Sequence, residues 1–414
     1  MTTNSYHSWM LAMNNCCLGS VFTWVALLSS FLLAALPLPA QTLTVLHSFK
    51  GAPDGCKPQG DLYRDGAGNL YGTAANCGTG NGIVFKVSST GKETILHTFT
   101  GGVDGGLPGA GLVRDPSGNF YGTAYSGGAS KDGVVFKLTG SVLTVLHSFS
   151  GADGAHPTAA VIRDSAGNLY GTTFYGGTAS CSCGTIFKID ANSNESVLHS
   201  FTGGADGKFP AARLLLDGAG NLYGTASDGA TVNCGRFNIH GCGVVFKLDT
   251  TNHLKALYTF TGGADGGQPQ AGLIRDSSGN LYGTAFAAGD LSRTCAQNNG
   301  CGVVFKVSPA GQEAVLHTFT TGTDGANPTG DLARDSAGNL YGATKLGGGG
   351  TTIGFGIVFE IASGGGESIL HTFTGNSDGG DPVAGLIRDS AGNLYGTTTA
   401  GGSATQGVVF KLTP

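Results

Sequence analysis

The 414-residue chain carries 22 Lys and Arg against 27 Asp and Glu, a net charge of −5 with no basic run, so it lacks the electrostatic footprint a nucleic-acid partner requires. Only 12% of the residues are charged while glycine reaches 74, a composition of short strands and tight turns. Length alone would suggest two or three domains, but internal repetition points to one closed domain that grows by adding units.

Residues 1–40 contain no Lys, Arg, Asp or Glu, and the apolar stretch from Val21 to Leu36 is followed by Pro37-Leu38-Pro39-Ala40. The stretch is shorter than the roughly 18 residues of a spanning helix, which is the pattern of a signal peptide cut after Ala40; the missing basic n-region leaves an uncleaved N-terminal anchor as the alternative. The rest, residues 41–414, is the expected mature protein, and a membrane is expected as partner only through an uncleaved leader.

From Val45 onward one phrase recurs seven times, marked by Leu46, Leu96, Leu146, Leu198, Leu257, Leu316 and Leu370. Each copy has an apolar strand such as Val-Leu-His-Ser-Phe, a Gly-Asp-Gly-x-x-Pro segment, an Asp-x-x-Gly-Asn-Leu-Tyr-Gly hairpin and a Val-Val-Phe-Lys strand. Spacings of 50, 50, 52, 59, 59 and 54 residues with four short strands per copy predict a seven-bladed β-propeller with four-stranded antiparallel blades. The Asp-x-x-Gly-Asn turn and the short link after Val-Val-Phe-Lys both require neighbouring antiparallel strands. With Leu-Ile-Arg-Asp innermost and Val-Leu-His-Thr-Phe outermost, the Gly-Asp-Gly-x-x-Pro segment crosses from one blade's rim to the next blade's axis. The first strand, Val45 to Phe49, is then left over, and it is expected to close the ring beside Val408 to Leu412. Closure removes exposed strand edges.

Residues shared by all copies are expected to serve the scaffold. The recurrent Tyr (Tyr71 through Tyr395) packs with a polar tip; the turn Asp (Asp65 through Asp389) accepts backbone N–H bonds, with a local partner in the preceding Arg. The crossover Asp (Asp54 through Asp378) makes a turn, since one carboxylate per loop supplies too few oxygens for calcium. His47, His97, His147, His199, His317 and His371, with Tyr258 in the seventh place, lie on the outermost strands and read as separate rim packing residues rather than a metal ring. No metal and no cofactor are expected.

Eight cysteines follow the leader, and in an exported chain they read as disulfides. Cys181 with Cys183, Cys234 with Cys242 and Cys295 with Cys301 each share one Gly-rich loop, and Cys56 with Cys77 share the first copy; eight cysteines nonetheless allow 105 pairings.

Departures from the repeat mark the candidate site. Asp61, Arg213 and Asp331 occupy one equivalent place at the start of the innermost strand, where other copies have Gly or Ala, and so should meet at the mouth of the central tunnel. Beside them are the two longest loops, carrying Arg236 and His240 in one and Arg293 in the other. These six residues are the ligand-binding candidates, and none is assigned a catalytic role.

The Leu-His-Ser/Thr-Phe-x-Gly-x-x-Asp-Gly, Gly-Asn-Leu-Tyr-Gly-Thr and Gly-Val-Val-Phe-Lys motifs together resemble the GloVer tandem repeat of bacterial choice-of-anchor surface proteins, in all seven copies. The resemblance implies an exported protein, periplasmic, secreted or on the cell surface. The reading that follows is a monomeric, non-catalytic binding module whose loop-rich face takes a glycan, peptide or protein. The alternatives are a purely structural envelope protein and a hydrolase or lyase acting on glycans or lactones, with Asp61 and Asp331 as acid and base.

Overall fold

The computed structural model describes residues 41–413 apart from 77–79, 179, 231–240, 293–294, 296–298 and 350–353. Gln41–Pro414 forms one compact unit. It is an all-β ring of seven blades, each built on four antiparallel strands, here a to d from axis to rim, to which Cys56–Pro58 and Ala326–Pro328 add a short extra strand in blades one and six. Blade five shows the order: a is Ile274–Arg275, b Leu281–Ala285, c Val303–Val307 and d Glu313–Thr318. In blade seven, strand d is Thr42–Ser48, which pairs antiparallel with Val408–Thr413. The ring is therefore closed by the first strand, as expected from the unpaired copy in the sequence.

The a–b turn explains the Asp-x-x-Gly-Asn-Leu-Tyr motif. In blade five, Asp276 accepts from Asn280 N and Nδ2, both at 2.8 Å, and from the Tyr282 hydroxyl at 3.0 Å. Burial alone would raise the Asp276 carboxyl, but these bonds outweigh it and hold it below the usual carboxylate range. Local Arg–Asp pairing is not what forms. Six turns are preceded by Arg, and most of these reach the preceding blade: Arg64 lies over the Tyr395 ring, with Nη2 3.8 Å from Asp389, and Arg275 lies over Tyr223, whereas Arg114 lies over Phe120 of its own blade. Planar guanidinium groups favour aromatic faces, so the residue bridges blades rather than bracing its own turn.

Seven apolar clusters fill the seven blade interfaces. Each carries the Phe ending one blade's strand d against the Phe of the next blade's strand c, as with Phe49 and Phe85, whose rings meet edge to face at 5.1 Å. The glycine of Leu-Tyr-Gly-Thr exists for this packing: a Cβ at Gly72 would lie 2.7 Å from the Phe85 ring.

The rim histidines are half-buried and stand edge-on to the Phe two residues later, as His97 does to Phe99 at 4.9 Å. The crossover Asp binds both its own turn and this histidine. Asp104 accepts from Thr100 N at 3.1 Å and lies 3.2 Å from His97 Nε2.

Candidate functional site

Crossovers and b–c loops meet on one face, joined by backbone pairs such as Gly106 with Ser126 and Ala155 with Tyr175. The crossovers then lead to the start of each strand a, so seven equivalent residues surround the axis: Asp61, Gly111, Ala160, Arg213, Gly272, Asp331 and Gly385.

Asp61, Arg213 and Asp331 converge there as the sequence predicts. Asp331 Oδ2 accepts from Arg213 Nη2 at 3.0 Å and Nε at 3.2 Å, while its Oδ1 accepts from Gly272 N at 2.5 Å. Asp61 Oδ1 accepts from Gly385 N at 2.6 Å, and Asp61 and Asp331 both lie against Gly385, where a Cβ would stand 2.9 Å from Asp61 Oδ1 and 2.8 Å from Asp331 Cβ. Burial first, and then the Asp331 charge, push Asp61 up to about 7 despite the opposing pull of Arg213. Each Asp folds back over the glycine preceding it in the ring. A Cβ at Gly272 would stand 2.7 Å from the Asp331 carboxylate, and one at Gly385 would stand 2.8 Å from Asp331 Cβ. Gly272 and Gly385 are thus site residues, visible in the sequence only as glycines one ring position ahead of an aspartate.

The triad sits where two cavities meet. A cavity of about 370 Å³ on one side is lined largely by apolar strand-a residues such as Leu112, Val161 and Leu386. A smaller one of about 140 Å³ on the other side is lined by Gln59, Thr158, Gln270 and Thr329. The Arg213 side chain is enclosed by the ring, yet 43% of it is reachable by water through these cavities. Its bonds to Asp331 use Nε and Nη2.

A second ring lies in the crossovers and has no counterpart among the repeated motifs. The residue before each crossover proline has a left-handed φ of 53° to 59°: Lys57, Leu107, His156, Phe209, Gln268, Asn327 and Asp381. Its backbone N–H donates to the preceding blade's loop, as from His156 to Asp132 O at 2.7 Å and from Phe209 to Cys183 O at 2.8 Å. Left-handed backbone at a non-glycine residue before proline is strained, and the surrounding bonds hold it. The signal is a single position in Gly-x-x-Pro that differs in all seven copies while the Gly and Pro around it repeat.

This ring places aromatic side chains beside the mouth. His156 stacks on Tyr125 at 4.5 Å, Phe209 stacks on Phe174 at 5.0 Å, and Tyr175 packs edge-on against both His156 and Phe209. Tyr175 is 38% exposed, and Lys208 Nζ lies 4.8 Å above the Phe209 ring.

Two expected disulfides form, Cys181–Cys183 and Cys295–Cys301. Cys56 and Cys242 are also disulfide-bonded, to partners outside the described residues. Cys77 and Cys234 fall outside those residues, as do the candidates Arg236, His240 and Arg293.

The signature of the Gloeobacter/Verrucomicrobia repeat matches residues 34–238 and 287–414, more than half of the chain. The chain belongs to this repeat family. No curated protein matches the repeat chain. Among solved structures it is similar to the extracellular domain of a B. thetaiotaomicron protein described as a one-component system, at 8% identity and a TM-score of 0.52. That alignment covers 89% of this repeat protein and 40% of the other. A second similar structure is PorZ, a bacterial surface component of the type-IX secretion system of Porphyromonas gingivalis, at 14% identity and a TM-score of 0.47, covering 87% of this chain and 47% of PorZ. A third is a luciferin-regenerating enzyme, at 12% identity and a TM-score of 0.44, covering 90% and 95%. At these identities the likeness is one of fold alone.

Proposed function

We propose that this repeat protein is an exported, non-catalytic binding module that takes a carbohydrate on its loop-rich face. The observation that carries the reading is the aromatic group of Tyr125, His156, Phe174, Tyr175 and Phe209 beside a mouth lined by Gln59, Thr158, Gln270 and Thr329. Aromatic faces accept the apolar face of a sugar ring, and amides and hydroxyls meet its hydroxyl groups. Arg213 supplies further donors from the axis. Export accords with disulfides in a small-residue-rich chain and with the leader pattern of residues 1–40. The test is calorimetric titration of the purified, oxidised protein with saccharides first selected on a glycan array. Saturable binding weakened at least about tenfold by Tyr175→Ala is expected, as for loss of one aromatic anchor. Binding unaffected by both Tyr175→Ala and Arg213→Gln would remove the mouth as the site.

A second reading, a purely structural envelope protein, is favoured by the pairing of Arg213 with Asp331 inside the ring. It expects no saccharide to be retained and only a loss of stability from Arg213→Gln.

A further inference from the structure

The sequence places each rim histidine and crossover aspartate on its own copy, too few ligands for an ion. The fold adds a third group from the next blade. His47 stands on the closing strand of blade seven, Asp54 on the crossover that follows, and Glu93 opens strand d of blade one. His317, Asp324 and Glu367 repeat this arrangement between blades five and six. In each set, one ligand atom from every residue lies within 4.8 Å of the others.

The seven copies supply their own control. The position of Glu93 is taken by Leu143, Leu254 and Leu43 in three other blades, at the same register opposite strand c. Where leucine faces the pair, histidine and aspartate close into a hydrogen bond: His97 to Asp104 at 3.2 Å, His199 to Asp206 at 3.0 Å and His371 to Asp378 at 3.1 Å. Where glutamate faces it, two of the pairs stand open. His47 Nε2 is 3.4 Å from Asp54 and 3.7 Å from Glu93, and His317 Nε2 is 3.7 Å from both Asp324 and Glu367. These separations are long for hydrogen bonds and close to the roughly 3.4 Å between two ligands bound about 2.1 Å from one tetrahedral ion.

Burial gives an independent pointer. The Glu93 side chain is only 10% exposed, and its Oε1 has no hydrogen-bond partner. Glu195, Glu313 and Glu367 Oε1 are likewise buried without one, but only the two open sets add an unpartnered histidine nitrogen, His47 Nε2 and His317 Nε2. Buried polar atoms without partners are rare and costly, and a cation between an imidazole and two carboxylates would give those nitrogens a partner. The third set, His147, Asp153 and Glu195, lacks this opening because His147 and Asp153 already bond at 2.8 Å.

We infer that the rim carries two sites for a zinc-class divalent cation, one formed by His47, Asp54 and Glu93 across the closing seam and one by His317, Asp324 and Glu367. One imidazole nitrogen and two carboxylate oxygens suit zinc better than calcium or magnesium, which take oxygen ligands in greater number. Each ion ties strand d of one blade to strand d of the next, and the first pins the seam at which the ring closes.

The test is metal content after the oxidised, chelator-stripped full chain is dialysed against micromolar zinc and then against buffer. Two equivalents per chain are expected, falling to one in Glu93→Gln and to none in the Glu93→Gln/Glu367→Gln double variant. Zinc should also raise the melting temperature of the wild type but not that of the double variant. His47→Gln and His317→Gln replace the glutamate variants should those fail to fold. Uptake below two equivalents by the wild type, or equal uptake by wild type and double variant, overturns the assignment.

Discussion

The most direct probe of the axial triad is Asp61→Asn. The amide keeps an acceptor for Gly385 N–H and offers Asp331 a donor, so it reproduces a protonated carboxyl that cannot ionise. An acid whose folded pKa lies above its unfolded value holds its proton more tightly when folded. Its contribution to stability therefore falls as pH rises between the two values and is flat outside them. For Asp61 the interval runs from the ordinary 3.8 to about 7. Between pH 5 and pH 7 the folded acid keeps most of its proton while the unfolded one has lost it, which at about 1.4 kcal/mol per unit removes roughly 2 kcal/mol from the wild type and nothing from the variant. Glu93, Glu195, Glu313 and Glu367 are also raised, but they act equally on both proteins and cancel in the difference. Scanning calorimetry of the two proteins from pH 5 to pH 8 should show melting temperatures that diverge with pH, the variant gaining. Parallel profiles, or a variant less stable than the wild type at pH 8, would refute a buried, proton-bearing Asp61.

Gly272→Ala should cost about 1–3 kcal/mol, because its methyl group meets the Asp331 carboxylate at 2.7 Å and breaks the bond from Gly272 N. Chemical denaturation measures it, and a cost below about 0.5 kcal/mol, typical of a surface substitution, would mean that the glycine has no part in holding Asp331. Asp276→Ala removes three bonds to one carboxylate and should destabilise by about 2–4 kcal/mol at neutral pH. Because the Asp276 pKa is depressed on folding, this difference should be lost as pH falls below the ordinary carboxylate range, and a gap constant to pH 2 would contradict the assignment.

Much of the architecture was legible because the chain contains its own alignment. The number of blades follows from counting Leu46 to Leu370, and the strand order from which connections are too short to cross a blade. The unpaired strand at Val45 implied the closure now seen with Val408–Thr413. The axial triad was legible for the opposite reason, since Asp61, Arg213 and Asp331 break a position that is otherwise Gly or Ala. What stayed hidden lies between copies. Arg64 has Asp65 as its neighbour in sequence, but Tyr395 and Asp389 of blade seven are what it touches. Glu93 reads as an ordinary strand-opening residue until the ring sets it against His47. The pre-proline ring is hidden because it lies in crossovers that look like connectors, and backbone handedness leaves no mark on residue type when the surroundings impose it.

A ring of identical blades presents the same groups at every position, so selective recognition requires broken symmetry. The tight-turn end does not break it: Asp, Asn and Tyr recur there seven times and bind one another. The mouth breaks it twice, once at the start of strand a and once before the crossover proline, where seven copies carry seven different residues. Those side chains sit outside the seven interface clusters that hold the ring together, so they vary without disturbing the packing. Holding them in a left-handed backbone costs on the order of 1–3 kcal/mol each. A chain that needed only a connector there could place glycine, which adopts this conformation without strain. Six of the seven instead carry a side chain larger than asparagine or one bearing a charge, so the crossover differs from blade to blade at the one place where its backbone is most constrained.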